Sequence, residues 1–343
     1  MKKTVLVTGG TGYIGSHTVV ALQEKGYDVV IVDNLANSDK EVIYNIEKTT
    51  GVLPKFEKLD LVDEQACRTL FEKYSFDAVI HFAAYKYVNE SVREPLMYYK
   101  NNFHSMLNVL SEMKKHKISN LVFSSSCTVY GTPEELPVTE QSPVQKAMSP
   151  YGNTKQVIEE ILEDCCLADK DLNVISLRYF NPIGAHPSIQ IGEIAKGIPQ
   201  NLLPYLTQTV IGKRDYLSVY GGDYDTPDGT CIRDYIHVVD LAEAHVSAIE
   251  RLVIKEMENN YEVYNVGTGT GYSVLDIVHT FEKVNEVKVN HKIVERRSGD
   301  IAQIWADTSL VNKTLKWKAK YALSDMLQSA WEWEKVMNEK HNK

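Results

Sequence analysis

Tyr151 and Lys155 stand four residues apart in the segment SPYGNTK, and three consecutive serines, Ser124, Ser125 and Ser126, precede them in SSSCTVYG. Four residues is about one helical turn, so the phenol and the ammonium share a face. A free phenol titrates near ~10 and is a poor base at neutral pH. A neighbouring cation favours the phenolate. A serine hydroxyl beside such a phenol can bridge it to a substrate hydroxyl. The set therefore fits proton transfer at a carbon that bears a hydroxyl. Read alone, each piece has a plainer role, because Y-x-x-x-K pairs are common on helix surfaces and a serine run is an ordinary strand-end loop.

The N-terminus shifts that balance. Residues Thr4 to Thr8 (TVLVT) are apolar and β-branched, as in a buried strand. Gly9, Gly10, Gly12 and Gly15 follow at once, and then an amphipathic stretch from Ser16 to Lys25. Strand, glycine turn and helix in that order let a backbone approach a pyrophosphate at a helix N-terminus. The spacing is G-x-x-G-x-x-G rather than G-x-G-x-x-G. A second strand, Asp28 to Val32, ends at Asp33. A carboxylate there can accept a hydrogen bond from a ribose 2′-hydroxyl and repel a 2′-phosphate, which favours NAD over NADP. A dinucleotide and a tuned phenol together suggest hydride chemistry.

These groups need a scaffold to bring them together. Apolar runs at Val5–Val7, Val29–Val32, Ala78–Phe82, Leu121–Ser124 and Val174–Tyr179 alternate with helical patterns. That alternation implies a doubly wound parallel α/β sheet with its crevice at the carboxyl ends of the strands. Asp33, Asp60, Ala83–Lys86, Ser124–Ser126 and Asn181 all fall at such ends. Between Tyr99 and His116, Phe103, Met106, Leu107, Leu110 and Met113 recur at helical spacing and form a core or interface face. After Asn181 the pattern breaks at Pro182, Pro187, Pro199, Pro204 and the loop GGDYDTPDGT. We divide the chain there, into a dinucleotide-binding domain at 1–180 and a smaller α/β substrate lobe at 181–343, with room for segments that return to the first domain. Residues Ser324 to Lys340 read as a helix in which Trp331 and Trp333 pack.

Composition narrows the class. The chain has 343 residues and a formal net charge of -9, which argues against nucleic acid or an anionic membrane as partner. Its five cysteines, Cys67, Cys127, Cys165, Cys166 and Cys231, are odd in number and lack C-x-x-C spacing. Neither a disulfide framework nor a zinc site is expected, and the chain reads as reduced and cytoplasmic. The histidines show no metal-ligand spacing, and His81 reads as a packed strand residue. The opening MKKTVLV stops at a glycine pair, too short for a secretory core, and no run approaches the length of a membrane span.

Taken together, these motifs resemble the extended short-chain dehydrogenase/reductase superfamily. RYFNPIGAHPS at 178–188, RDYIHVVDLA at 233–242, YNVGTGTGYSV at 264–274 and RRSGDIAQIWAD at 296–307 are similar to the UDP-glucose 4-epimerase family within it. The resemblance runs over nearly the whole chain. It implies a Rossmann-like first lobe holding NAD and a UDP-sugar bound between the lobes. Epimerisation would run reversibly between UDP-glucose and UDP-galactose through a transient 4-keto sugar, with NAD retained. By that resemblance Tyr151 is the acid/base, Lys155 its partner, and Ser126 the hydroxyl touching substrate and tyrosine. The NAD contacts fall on Gly9, Gly12, Tyr13, Ile14, Asp33, Asn34, Asp60, Leu61, Phe82, Ala83, Lys86, Asn101, Ser124, Tyr151, Lys155 and Tyr179. The UDP-sugar contacts fall on Ser126, Tyr151, Asn181, Asn201, Leu202, Tyr220, Arg233, Arg297, Asp300 and Ile304. Arg233 and Arg297 have the fork geometry that pairs with a diphosphate. Ile304 stands where family members carry either a tyrosine, which restricts the pocket, or a small residue, which admits N-acetylated sugars; a weaker activity on the acetylated pair is the expectation. Related 4,6-dehydratases carry Asp-Glu where this chain has Cys127-Thr128, which argues against that reaction. The UDP-sugar segments argue against a net-redox reductase, and the intact Ser126, Tyr151 and Lys155 against a non-catalytic NAD sensor. The family also commonly dimerises through helices that correspond to residues around 101–116 and 152–168.

Overall fold

The computed structural model describes residues 2–297 and 299–341. Its strands, in chain order, are β1 (Thr4–Thr8), β2 (Asp28–Asp33), β3 (Lys55–Lys58), β4 (Ala78–His81), β5 (Asn120–Ser124), β6 (Asn173–Tyr179), β7 (Asn181–Ile183), β8 (Leu217–Tyr220), β9 (Ile232–His237), β10 (Tyr261–Val266), β11 (Gly271–Ser273), β12 (His291–Val294) and β13 (Gln303–Ile304). The helices are α1 (Tyr13–Glu24), α2 (Glu41–Thr50), α3 (Glu64–Lys73), α4 (Val88–Arg93), α5 (Pro95–Lys115), α6 (Pro150–Ala168), α7 (Leu202–Val210), α8 (Val238–Val253), α9 (Val274–Asn285), α10 (Ser309–Thr314) and α11 (Leu323–His341).

Seven strands form one sheet in the order β10-β6-β5-β4-β1-β2-β3, and every pairing in it is parallel. Successive side chains of β1 point to opposite faces, as pleating requires. Val5 and Val7 join the core beneath α1 and α8, whereas Leu6 joins the core beneath α3, α5 and α6. Both faces are covered, which is why the central strands are continuous apolar runs rather than alternating ones. The strand order reverses between β1 and β4, so the crossovers on either side diverge there and leave a crevice at the carboxyl ends.

Two strands of this sheet lie outside the apolar runs of the sequence. β3 is KFEK, with exposed lysines at both ends, and it forms the outer edge beside β2. A charged edge strand discourages pairing with other chains, and the same charges hide it from a search for buried runs. β10 comes from the second half of the chain and pairs with β6 along its whole length, Tyr261 opposite Val174 through Val266 opposite Tyr179. α8, which precedes it, packs against α1. The layer around the crevice is therefore built from both sides of residue 180.

The remaining elements of the second half form a smaller unit. β7, β11 and β13 pair with β9, and β8 pairs with β12. α7, α9 and α11 close over these strands around Leu206, Val219, Ile277, Phe281 and Leu327. Trp331 meets the Phe281 ring edge-on. Trp333 is buried and donates its indole N–H to the Glu193 carbonyl at 2.9 Å, so it packs and also fixes the segment before α7.

Candidate functional site

The first cleft begins at the turn between β1 and α1. Gly9 has φ +67°, and a Cβ there would come within 2.9 Å of the Ala83 backbone nitrogen. A side chain at Gly15 would run into the Gly9 carbonyl oxygen. The turn thus depends on glycine for both its backbone conformation and its close packing. Gly12 caps α1 without a side-chain hydrogen bond, and the first turn of α1 carries no acidic residue. The free N–H groups and positive end of that helix suit an anion.

At the end of β2, Asp33 accepts hydrogen bonds from the Leu35 nitrogen at 2.9 Å, the Ser38 hydroxyl at 3.2 Å and the Thr11 nitrogen at 3.3 Å. These donors fix the carboxylate at the rim of the cleft. Asn34 donates to Asp60 at 3.1 Å and ties the ends of β2 and β3 together. Among the described residues that line this cleft, the only basic side chains are Lys86 and Lys155. No arginine stands ready for a 2′-phosphate, and Asp33 would oppose one. The walls of the cleft bring together Gly9, Gly12, Tyr13, Ile14, Asp33, Asn34, Asp60, Leu61, Phe82, Ala83, Lys86, Asn101, Ser124, Tyr151, Lys155 and Tyr179. These are all the residues assigned above to the dinucleotide. The glycine turn, the uncapped helix and the fixed Asp33 fit an NAD molecule.

Two of the acid–base candidates, Tyr151 and Lys155, line this cleft, whereas Ser126 is not among the residues of its wall. Ser149 caps α6 by accepting from the Gly152 nitrogen at 3.1 Å, and Pro150 occupies the first helical turn. The helix therefore starts just where Tyr151 must face inward. Tyr151 is 8% exposed, Lys155 3% and Ser126 6%. The Lys155 Nζ donates to the Ser124 carbonyl at 2.7 Å and lies 5.9 Å from the centre of the Tyr151 ring. Ser126 begins the turn Cys127–Tyr130, where its hydroxyl accepts from the Thr128 nitrogen at 3.3 Å and also acts on the Tyr151 phenol. Tyr179 and Ser124 share a hydrogen bond of 2.8 Å beside them.

Burial sets the protonation of this group. It holds the Tyr151 phenol well above its usual value; nearby Tyr179 adds to the rise and the Ser126 hydrogen bond opposes it. Burial also brings the Lys155 amine down to about 7, against the pull of Glu159. The sequence suggests a permanent cation next to the phenol. The structure gives an amine poised to gain or lose its proton near neutral pH, because both groups are buried in the cleft wall, where a charge is poorly solvated.

A second cleft adjoins the first. The walls change from one to the other within a few residues: Tyr179 lines the first and Asn181 the second, and Ile194 lines the first and Glu193 the second. Asn181, Asn201, Leu202, Tyr220, Arg233, Arg297 and Asp300 all line the second cleft. Arg297 pairs with Asp300 at 2.8 Å and lies over the Tyr220 ring at 5.4 Å. Arg233 donates to the Ile301 carbonyl at 2.7 Å and to its neighbour Ile232 at 2.8 Å. Two guanidinium groups, a carboxamide and an aromatic face suit a nucleoside diphosphate.

Ile304 lies elsewhere. It is 2% exposed and packs in a closed apolar cluster with Val129, Tyr130, Val138, Phe180 and Ala306. It lines neither cleft, although its backbone pairs with Arg233 across β13 and β9. His81 is a packed strand residue, 2% exposed and bonded to Thr8 at 3.0 Å. Two features of the site escape the sequence reading. Glu193 lines the second cleft and accepts from Asn201 at 2.7 Å and from Lys86 at 3.5 Å. It stands in an irregular segment with no periodicity to mark it. Glu159 and Arg178 form a buried ion pair behind Tyr151, and only the i, i+4, i+8 spacing of Tyr151, Lys155 and Glu159 hints at the first of them.

Comparison with known proteins accords with this architecture. Residues 5–267 match the NAD dependent epimerase/dehydratase family. The UDP-glucose 4-epimerase of Dictyostelium discoideum is 50% identical over 332 residues, which cover 97% of this chain and 96% of that one. The UDP-glucose 4-epimerase of Homo sapiens is 49% identical over 341 residues, covering 98% and 97%. The crystal structure of UDP-glucose 4-epimerase from Bifidobacterium longum in complex with NAD+ and UDP superimposes with a TM-score of 0.94 at 47% identity, covering 97% of this chain and 98% of that one. With a glycine turn and fixed carboxylate for a dinucleotide, a family match over residues 5–267, and 50% identity to such an epimerase over 97% of its own length, the chain belongs to the NAD dependent epimerase/dehydratase family.

Proposed function

We propose that the protein is an NAD-dependent UDP-glucose 4-epimerase that interconverts UDP-glucose and UDP-galactose. One observation carries the reading: buried Tyr151 and Lys155, with Ser126 next to the phenol, line a dinucleotide cleft that adjoins a second cleft lined by Arg233, Arg297 and Asn201. When bound, NAD supplies a hydride acceptor that also returns the hydride, so no net redox change results. Residues of both clefts would hold it and the substrate: the α1 N-terminus and Asp33 the dinucleotide, Arg233 and Arg297 the diphosphate of the UDP-sugar.

The chain's own residues manage the proton. Tyr151, kept neutral by its burial, takes the proton of the sugar 4-hydroxyl as phenolate once a nearby positive charge offsets that burial, and Ser126 bridges that hydroxyl and the phenol. A protonated Lys155 favours the phenolate. Carbon 4 becomes a keto carbon. Tyr151 then returns its proton to the oxygen when reduction occurs on the opposite face. With binding concentrated on UDP, the sugar can turn between the two half-reactions. Among the described residues no helix is long and apolar enough to cross a membrane, and a cytoplasmic enzyme is the setting that suits this substrate. The outer faces of α5 and α6 expose Leu96, Leu107 and Leu167, which supports pairing with a second copy through those helices.

The test is incubation of the purified protein with UDP-galactose and no added cofactor, with the product identified by NMR. UDP-glucose is the expected product, and denaturation should release NAD rather than NADP. A 4-keto-6-deoxy sugar, or a demand for external NADH, refutes the proposal. Light scattering should give the mass of two chains; one chain refutes the dimer.

A further inference from the structure

The Ser126 turn is anchored on both sides to one buried ion pair. Arg178 on β6 donates through Nη2 to Glu159 Oε2 at 2.6 Å and through Nε to both carboxylate oxygens at 3.1 and 3.2 Å. Each partner is 7% exposed. Ser125, fully buried and adjacent to Ser126, donates its hydroxyl to Glu159. Tyr130, the last residue of the turn, accepts from Arg178 Nη1 at 3.1 Å and donates to Asn265 at 2.7 Å. Ser126 thus sits between Ser125, bound to the carboxylate, and Tyr130, bound to the guanidinium.

The same carboxylate acts on Lys155 through its charge. Tyr151, Lys155 and Glu159 follow one another at four-residue intervals and lie along one face of α6. Among the described groups that act on Lys155, Glu159 is the only carboxylate. The other titratable groups facing this cluster do not replace it. His81 on β4 is driven down to about 3 by burial, with the Lys155 charge adding to the fall, and is neutral. Burial first raises the phenols of Tyr130, Tyr179 and Tyr261, so they too are neutral. Glu140 acts on Arg178 and Tyr130, and Glu163 on Tyr261; neither acts on Lys155.

We propose that Glu159 and Arg178 are positioning residues for the acid–base group: the ion pair clamps the Ser126 turn at both ends and holds the counter-charge of Lys155. The proposal rests on the acid–base reading of Tyr151, Lys155 and Ser126. It gives a reason for a buried ion pair where an apolar pair of similar size would fold as well.

The test is the double substitution Glu159→Met/Arg178→Met, which removes both charges and leaves neither unpaired. The phenol of Tyr151 is titrated by phenolate absorbance in the NAD-containing protein, with Tyr151→Phe as the blank. Turnover of UDP-galactose is followed from about pH 6 to about pH 10. A folded double variant should show Tyr151 ionising at higher pH, because a loosened turn no longer holds the Ser126 hydroxyl where it lowers the phenol. Its kcat near neutral pH should fall about tenfold while KM stays within about twofold. The single substitution Glu159→Asp, which keeps the charge, should stay closer to the parent on both measures. A folded double variant with the parent's titration and kcat overturns the proposal. If the double variant does not fold, Glu159→Gln decides by the same two measurements. The phenol titration needs no substrate, so it tests the clamp even in a protein that turns over no UDP-sugar. Absence of turnover in the parent would instead overturn the proposed function.

Discussion

Replacing Lys155 by methionine should abolish turnover and yet stabilise the fold at neutral pH. The amine is buried, and burial lowers it from its ordinary 10.5 to about 7. The folded state therefore binds this proton less readily than the unfolded chain does. The penalty is present in full below about pH 7 and fades as pH rises toward 10.5, where both states are neutral. Each unit of that gap is worth about 1.4 kcal/mol, so the whole penalty is about 5 kcal/mol. Methionine also loses the hydrogen bond to the Ser124 carbonyl and leaves that buried oxygen without its partner, a cost of about 3 kcal/mol. The net expectation is about 2 kcal/mol of added stability at low pH, or about 3 °C in melting temperature for a chain of this size. Near pH 10 only the lost hydrogen bond remains, and the variant should be the less stable protein. The assay is thermal or urea unfolding of parent and Lys155→Met across that pH range, with NAD content matched so that ligand binding does not enter the difference. A variant that is less stable by the same amount at every pH would refute the reasoning, because it would show that the amine carries no burial penalty.

Tyr151→Phe should lower kcat by about 10²- to 10⁴-fold and leave UDP affinity intact, since the phenol acts on the proton in flight; activity within tenfold of the parent would remove Tyr151 as the acid/base. Asp33→Ala should lower the NAD content of the purified protein and raise acceptance of NADP, because the carboxylate that opposes a 2′-phosphate is gone; an unchanged ratio of the two dinucleotides counts against that role. Ile304→Cys should raise activity on UDP-N-acetylglucosamine relative to UDP-glucose, and Ile304→Tyr should abolish it while overpacking the apolar cluster by about 1–3 kcal/mol. Because Ile304 is buried away from both clefts, its influence must pass through the residues it packs against. An identical activity ratio in both variants would show that residue 304 does not control the sugar pocket.

Several parts of this protein were legible in its sequence because their signals are local. The TVLVT strand followed by glycines points to a tight turn, since a side chain at Gly9 would be strained at its φ of +67° and would press on Ala83. A spacing of four on a capped helix puts Tyr151 and Lys155 on one face without help from the rest of the fold. Resemblance supplied the residues of the second cleft, which composition and periodicity do not mark. What tertiary structure alone decided depends on residues distant in the chain. β10 extends the first sheet because its backbone pairs with β6, 87 residues earlier in register, and no local pattern encodes that choice. β3 was hidden because a polar edge strand needs only one neighbour and little burial. Ile304 stands beside Trp305 in a motif that suggests the pocket, yet the pairing of β13 with β9 turns its side chain into a closed cluster. The charge on Lys155 is likewise a tertiary property. The sequence supplies an amine, but whether it is protonated depends on how completely β4, β5 and α6 exclude water from it and on the one carboxylate, Glu159, that the helix carries in with it.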